Sequence, residues 1–194
     1  MDYKNLFALL GIALGVVGYI PYLLDIYRGK TKPHAFTWLV WAVLGGITFA
    51  IQISEGGGLG AWLTFTTATI SLFVFWWALF RGVRVFVRFD WMALIASFIS
   101  LIIWFFTGDP TLSVILIVVT EIFGMLPLLR HCYLKPYEET PSMFVAYFFA
   151  WIFSFLGLEV LSFDTSFYVI YSIFTNAVIA GIIFSRRAAA RRIA

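Results

Sequence analysis

The chain has 194 residues, of which 62% are hydrophobic and 12% charged, and its net charge is +3. Ordinary globular domains are about 45–50% apolar and about 25% charged, and a chain of this length has too little core to hide such an excess. Composition therefore excludes an ordinary soluble protein and predicts an integral membrane protein whose apolar surface meets lipid. The single cysteine, Cys132, excludes an intramolecular disulfide.

Seven apolar runs approach the roughly 20 residues that an α-helix needs to cross a bilayer. Each run is continuous rather than alternating, which predicts helices and not strands. The predicted fold is therefore an all-α membrane protein with seven transmembrane helices. In chain order the runs are Leu6–Leu24, Phe36–Ile53, Ala61–Phe80, Trp91–Phe106, Thr111–Leu129, Met143–Leu161 and Phe167–Ser185.

The basic residues fall in alternate loops of this arrangement. They follow spans one, three, five and seven, and these segments hold 12 of the 13 Lys and Arg residues, all except Lys4. Because cytoplasmic loops carry the excess of Lys and Arg, the pattern predicts a cytoplasmic-membrane protein with its N-terminus outside and its C-terminus in the cytoplasm. The tail Arg186–Arg192 is interpreted as an anchor to anionic lipid headgroups rather than as a nucleic-acid surface.

A Gly-x-x-Pro pattern occurs twice, in Gly18–Leu23 and in Gly124–Leu129, 106 residues apart. It predicts two three-helix repeats, at residues 1–82 and 108–186. Residues 83–107 then form a basic loop and a linker helix, and residues 187–194 form a basic cytoplasmic tail. If the second repeat followed three spans directly, it would enter the membrane in the opposite orientation to the first. The additional crossing by the linker helix restores the orientation, so the two repeats are parallel.

Pro21 and Pro127 lie near the cytoplasmic ends of the first helix of each predicted repeat. A proline inside a helix removes one backbone donor and kinks the helix. Each proline is either a static kink or, together with Gly18 or Gly124, a gating hinge. Their occurrence at equivalent places favours the hinge.

The 3+1+3 layout resembles the SWEET sugar transporters and the wider PQ-loop superfamily. The matching segments are Gly18–Pro21 with the basic loop Arg28–Pro33, and Gly124–Pro127 with Lys135–Pro141. The resemblance implies a small-solute transporter that works by alternating access between two three-helix halves. Its solute would be a sugar, a vitamin or a similar polar metabolite.

Two positions depart from that pattern, because Tyr22 and Leu128 follow the prolines where the superfamily has the glutamine of its Pro-Gln pair. The chain is also similar to bacterial membrane proteins that share stretches like Pro33–Trp38 and Lys135–Thr140. That second similarity implies no function.

Polar residues near the middle of the spans are candidate ligands of the solute. Glu121 is an acid deep in span five, and it is either a neutral structural residue or a cavity carboxylate that binds substrate or a coupling proton. The resemblance implies a substrate-binding Asn at the middle of span seven, where Asn176 lies. Ser71 and Thr67 occupy the equivalent region of span three. Hydrogen bonding between helices is the alternative role for these side chains.

Trp38, Trp41 and Trp151 are candidates for stacking on a ring-shaped solute, with packing as the alternative. The sequence has no Cys/His cluster, so no metal site is predicted. It has no paired acids and no Ser/His pair within the spans, so no enzyme is predicted, and no cofactor is expected. A retinal photoreceptor is excluded because span seven has no Lys. The expected partners are a small polar solute and membrane lipid. The alternative function is that of a non-transporting receptor, chaperone or scaffold. The KDEL receptor, which has the fold of the superfamily that this chain resembles, is an example of such a protein. The sequence leaves the oligomeric state open.

Overall fold

The structure is a computed structural model that describes residues 2–31, 33, 35–81 and 88–193. Lys32, Arg84 and the predicted boundary between residues 82 and 83 lie outside these ranges. Within them the chain forms seven α-helices and a short 3₁₀ turn, Gly58–Ala61, and no strand. The helices are α1 (Tyr3–Tyr27), α2 (Ala35–Ser54), α3 (Trp62–Arg81), α4 (Arg88–Thr107), α5 (Pro110–Leu134), α6 (Pro141–Gly157) and α7 (Phe163–Ile193).

The all-helical prediction is confirmed, and five segments within the described ranges are long and apolar enough to cross a membrane. These segments are α1, α2, the 3₁₀ turn with α3, α5 and α7. The other two helices fall short, since α6 has 17 residues and the apolar part of α4 is Leu94–Thr107. The chain thus has the helices of a membrane protein.

Several helix ends differ from the sequence prediction, and α5, for example, continues past Leu129 to Leu134. The sixth span was expected to reach Leu161, but α6 ends at Gly157 because Leu158 adopts an extended backbone with ψ of 132°. The seventh was expected to end at Ser185, but α7 continues to Ile193. Ala and Arg are strong helix formers whatever their hydropathy, so the basic tail extends α7 by two turns.

Capping residues fix the start of α5. Gly108 has a φ of 64°, which glycine adopts without steric cost, and it reverses the chain after α4. Asp109 is the N-cap, and its Oδ1 accepts a hydrogen bond of 3.1 Å from the Leu112 amide. Pro110 occupies the first turn, where its missing N–H costs nothing.

For description, the helices are divided into two triplets that follow the predicted repeats. In the first triplet, α1–α3, helix α3 packs against both α1 and α2. In the second triplet, α5–α7, helix α7 packs against both α5 and α6. Between the triplets, α1 makes its most extensive contact with α6, whereas α2 meets α5 over a smaller area. Helix α4 lies against α5 and α2.

Small residues allow α1 and α6 to approach closely. A Cβ atom built on Gly11 would lie 2.9 Å from the carbonyl oxygen of Ala150, and one on Gly157 would lie 2.7 Å from the amide nitrogen of Ala8. Such contacts between backbones are how small residues drive helix association in membranes. We call this contact the glycine seam; its residues are Ala8, Gly11, Gly15 and Gly18 of α1 with Ala146, Ala150, Ser154 and Gly157 of α6.

Candidate functional site

A cavity of about 90 Å³ lies between the two triplets. All six helices of the triplets contribute to its wall, and no described residue of α4 does. The wall extends along α6 from Met143 in the first turn to Trp151 near the middle. The cavity is therefore enclosed by elements of both triplets rather than by one of them.

Six of the seven residues predicted to bind a solute line this cavity. The seventh, Trp38, is buried beside it, with its ring centroid 5.3 Å from that of Tyr22 and 5.1 Å from that of Trp41. The fold thus brings together residues that are far apart in the chain, and their role in binding stays a prediction. The six lining residues are Trp41, Thr67, Ser71, Glu121, Trp151 and Asn176.

Glu121 is buried in the cavity wall, with 8% of its surface exposed. The Tyr168 hydroxyl donates a hydrogen bond of 3.0 Å to its Oε1. Within the described ranges no Lys, Arg or His lies at ion-pair distance from this carboxyl group, and the cavity wall contains none. The described residues therefore supply Glu121 with a hydrogen bond but not with a counter-charge.

Two further polar side chains of the wall donate a hydrogen bond to a backbone carbonyl of their own helix. Asn176 Nδ2 donates to the Ser172 carbonyl oxygen at 2.8 Å, and Thr67 Oγ1 donates to the Leu63 carbonyl oxygen at 2.8 Å. Such bonds satisfy polar side chains inside an apolar helix. In this orientation the amide oxygen of Asn176 and the lone pairs of Thr67 remain available as acceptors.

Two buried hydroxyl groups in the wall have no hydrogen-bond partner within the part of the chain that the structure describes. They are Ser71 Oγ and the Tyr147 hydroxyl, in residues that are 0% and 4% exposed. An unmet buried hydroxyl costs about 1–3 kcal/mol. Two such groups facing one cavity indicate that the wall is suited to a polar ligand.

Sequence reasoning missed the tyrosines, which supply much of the wall: Tyr19, Tyr147, Tyr168 and Tyr171. The Tyr19 and Tyr147 rings meet edge to face with centroids 4.8 Å apart. A signal was present for two of them, because tyrosines in membrane helices usually lie at the interfaces, whereas Tyr19 and Tyr147 lie inside apolar runs. Tyr168 and Tyr171 lie at the start of the seventh run and carried no such signal. Met125, Met143 and Phe144 also line the cavity, and nothing in the sequence distinguishes them from packing residues.

The predicted hinge residues have different surroundings in the two triplets. Pro21 lies within α1 and Pro127 within α5. A Cβ on Gly18 would lie 2.7 Å from the Ala146 Cβ, so this glycine is required for packing in the glycine seam. A Cβ on Gly124 would meet nothing within 4 Å. The glycines are thus not structurally equivalent, and the gating role of the four residues stays a prediction.

Hydrogen bonds join the triplets at both ends of their interface. At one end, Ser154 Oγ donates to the Gly60 carbonyl oxygen at 2.7 Å. At the opposite end, Thr140 Oγ1 donates to Asp25 Oδ2 at 2.8 Å. The cavity lies between these two connections.

Among the residues that the structure describes, no three His, Cys, Asp or Glu side chains come together in a way that could hold a metal ion. Comparison of the chain with protein-family models, with curated proteins and with solved structures finds no match. The site is therefore interpreted from its own chemistry, and membership of the SWEET and PQ-loop superfamily stays a prediction.

Proposed function

We propose that the protein is a small-solute membrane transporter in which the two triplets move relative to each other around the cavity. The observation that carries the proposal is the position of the cavity. It lies between two groups of three helices, and its wall is built from all six. A solute bound there contacts both moving parts, which is the requirement of alternating access.

The packing of the triplets supports two parallel repeats. The third helix of each triplet contacts the other two, as α3 does with α1 and α2, and as α7 does with α5 and α6. The contacts between triplets pair α1 with α6 and α2 with α5, as a twofold axis along the membrane normal would require. Helix α4 is then the linker crossing that keeps both repeats in one orientation.

The size of the cavity supports movement. Typical small-molecule sites have volumes of about 300–1,000 Å³, several times the volume of this cavity. A metabolite-sized solute therefore needs the triplets to separate at one end or the other. Separation at one end would break the bond from Thr140 to Asp25, and separation at the other end would break those that Lys4, Gln52, Ser154 and Glu159 make across the interface.

The charge of the loops supports the orientation. We propose that the N-terminus is outside and the C-terminus cytoplasmic, so that the end with Asp25 and Thr140 faces the cytoplasm. Arg186 and Arg187, near the end of α7, lie over the rings of Tyr133 and Tyr137 at 4.2 and 5.1 Å. These contacts hold the basic extension of α7 against the last turn of α5 and the loop between α5 and α6.

The test is a thermal-shift screen of purified protein with sugars, nucleosides, vitamins and amino acids, followed by uptake of each stabilising compound into proteoliposomes. A ligand that binds the native state raises its melting temperature by mass action. We expect uptake above that of empty liposomes and a loss of about tenfold or more in affinity for Asn176→Ala, equivalent to about 1.4 kcal/mol or more. Asn5→Ala is the matched control, because Asn5 lies in the first turn of α1 away from the cavity.

Binding without uptake would overturn the transport proposal and identify a receptor-like protein instead. Uptake that Asn176→Ala and Asn5→Ala leave equally unchanged would show that the solute does not use this amide.

A further inference from the structure

The chemistry of the cavity wall specifies the charge of its ligand. Glu121 is the acidic residue of the wall, and the described residues provide no basic side chain within ion-pair distance. An ionised carboxylate in an apolar site needs a counter-charge, because burial of an unpaired charge is strongly unfavourable. A cationic ligand would supply that charge.

The aromatic rings of the wall suit both the ammonium group and the apolar groups of such a cation. Aromatic rings bind ammonium groups through the negative potential of their faces, and cages of such rings are a known means of recognising quaternary ammonium ligands. Here the Trp151 and Tyr168 ring centroids are 5.8 Å apart, and Tyr171 lies 6.3 Å from Tyr168. The rings that line the cavity are those of Tyr19, Trp41, Phe144, Tyr147, Trp151, Tyr168 and Tyr171.

The hydrogen-bonding capacity of the wall favours donors on the ligand. Tyr168 uses its hydroxyl proton on Glu121, Thr67 uses its own on the Leu63 carbonyl, and Asn176 uses one N–H on its own helix. These three groups leave mainly lone pairs for a ligand, and the Ser71 and Tyr147 hydroxyls, which have no partner among the described residues, can either accept or donate. A primary ammonium group, which has three donors and no acceptor, matches this surplus.

We propose that the cavity binds a small organic monocation, an ammonium-bearing solute, with Glu121 as its counter-charge and the aromatic rings around its apolar groups. The inference deepens the proposed transport function and rests on it only for the movement of the ligand across the membrane. It excludes anions, for which the described residues of the wall offer no positive charge.

The test uses pairs of compounds that have nearly the same shape and differ in charge. Choline is compared with 3,3-dimethyl-1-butanol, and benzylammonium with benzyl alcohol, by titration of purified protein in detergent with calorimetry as the readout. We expect at least one cation to bind about tenfold or more tighter than its neutral counterpart, because cation–π contacts and the charge pair are lost in the neutral compound. Equal affinity within both pairs, or no cation binding at all, would overturn the proposal.

Variants separate the contribution of the Glu121 charge from that of the aromatic rings. Glu121→Gln keeps the shape and removes the charge, so it should abolish the preference for the cation, whereas Glu55→Gln, in the loop after α2, should preserve it. Trp41→Leu removes an aromatic wall and should weaken the cation more than the neutral compound. If Glu121→Gln does not fold, the Trp41→Leu comparison decides, and equal weakening of both compounds contradicts the proposal.

The same compounds distinguish failure of this inference from failure of the transport function. Tight binding of a cation without its uptake into proteoliposomes would overturn transport and leave the ligand class standing. Uptake of a neutral solute, with no preference for a cation in either pair, would overturn the ligand class and leave transport standing.

Discussion

Buried polar side chains give the cavity its chemical character at the scale of single residues. Each has a defined place: Tyr168 donates to Glu121, Asn176 is held by the Ser172 carbonyl, and Ser71 and Tyr147 present hydroxyls without a partner among the described residues. If every polar group of the wall had a hydrogen-bond partner in the protein, these residues would be explained by packing alone. Unmet hydroxyls beside an unpaired carboxyl are instead suited to a ligand.

Outside the apolar helices, Glu139 in the loop between α5 and α6 is a residue whose ionisation affects stability. Its side chain is 11% exposed, and burial, followed by the charge of Glu138, raises its pKa to about 7. His131 Nε2 lies 3.7 Å from its Oε1, and Arg187 donates to its backbone carbonyl at 2.8 Å. The folded state therefore binds a proton here that the unfolded chain, with a pKa of about 4.3, has already lost.

Glu139 should accordingly make the protein less stable as pH rises. Between about pH 4.3 and about pH 7 the folded state holds the extra proton, so the free energy of unfolding falls across this window. Glu139→Gln should flatten the fall and be more stable than wild type at about pH 8, by on the order of 1–3 kcal/mol. Thermal unfolding in detergent from about pH 4 to about pH 8 measures this, with Glu55→Gln as the control. Parallel curves for wild type and Glu139→Gln would contradict it.

The sequence predicted cavity residues most clearly where the residue type contrasts with its surroundings. Glu121 and Asn176 stand out because a charge or an amide is costly in an apolar run. Trp38 was as plausible a cavity residue as Trp41, which lies three residues away on the same helix. The Trp38 ring packs against Tyr19 and Tyr22 instead. Which of two neighbouring rings reaches a cavity depends on how α2 is rotated against its partners, and that information is tertiary.

At the scale of helices, the glycine seam is the most constrained contact between the triplets. Alanine at Gly11 would place a Cβ atom 2.9 Å from the Ala150 carbonyl oxygen and 3.1 Å from the Ser154 amide nitrogen. Both are backbone atoms and cannot turn aside, so Gly11→Ala should lower the free energy of unfolding by about 1–3 kcal/mol.

Gly124→Ala is the matched control, because nothing lies within 4 Å of its Cβ position. It should be neutral or stabilise α5 by up to about 1 kcal/mol, since alanine is the better helix former. Thermal unfolding in the same detergent compares the two variants. Equal stability would mean that α1 and α6 are not held as closely as the seam requires.

The two helix prolines are tested as a pair. Replacing Pro21 and Pro127 with Ala together should leave the fold intact but slow uptake, because restored backbone hydrogen bonds stiffen α1 and α5. The initial rate of uptake measures the effect, with Pro141→Ala as the control, because Pro141 starts α6 and introduces no kink. An unchanged rate in the double variant would reduce both prolines to static kinks.

Helix existence was predictable because the apolar runs are long, whereas helix ends were not. Hydropathy stops at the first charge, so it missed the continuation of α7 through Arg186 and Arg187 to Ile193. It also extended the sixth span past Gly157, where the apolar sequence continues but the backbone turns. The seam itself needed the structure, since the glycines of α1 do not reveal which helix they meet.

At the scale of the whole molecule, the loop charges predict the orientation in the membrane. A reporter that is active only in the cytoplasm should be active when fused after Ala194 and inactive when inserted at Gly57, because Lys and Arg are retained on the cytoplasmic side. Both fusions are compared in cells at matched expression. Activity at Gly57 with none after Ala194 would reverse the topology.

The unequal contacts between the triplets have a mechanical consequence. The seam between α1 and α6 is tight, while α2 and α5 meet over a smaller area. If the triplets rotate relative to each other as proposed, the pivot is therefore at the seam and the largest displacement is on the far side. Tyr19 and Tyr147, whose rings are 4.8 Å apart, lie near that pivot and would keep their contact, while Trp41 on α2 and Glu121 on α5 would move apart. Under the proposed mechanism, one wall of the cavity would then be stationary, and the opposite wall would release the charged end of the ligand first.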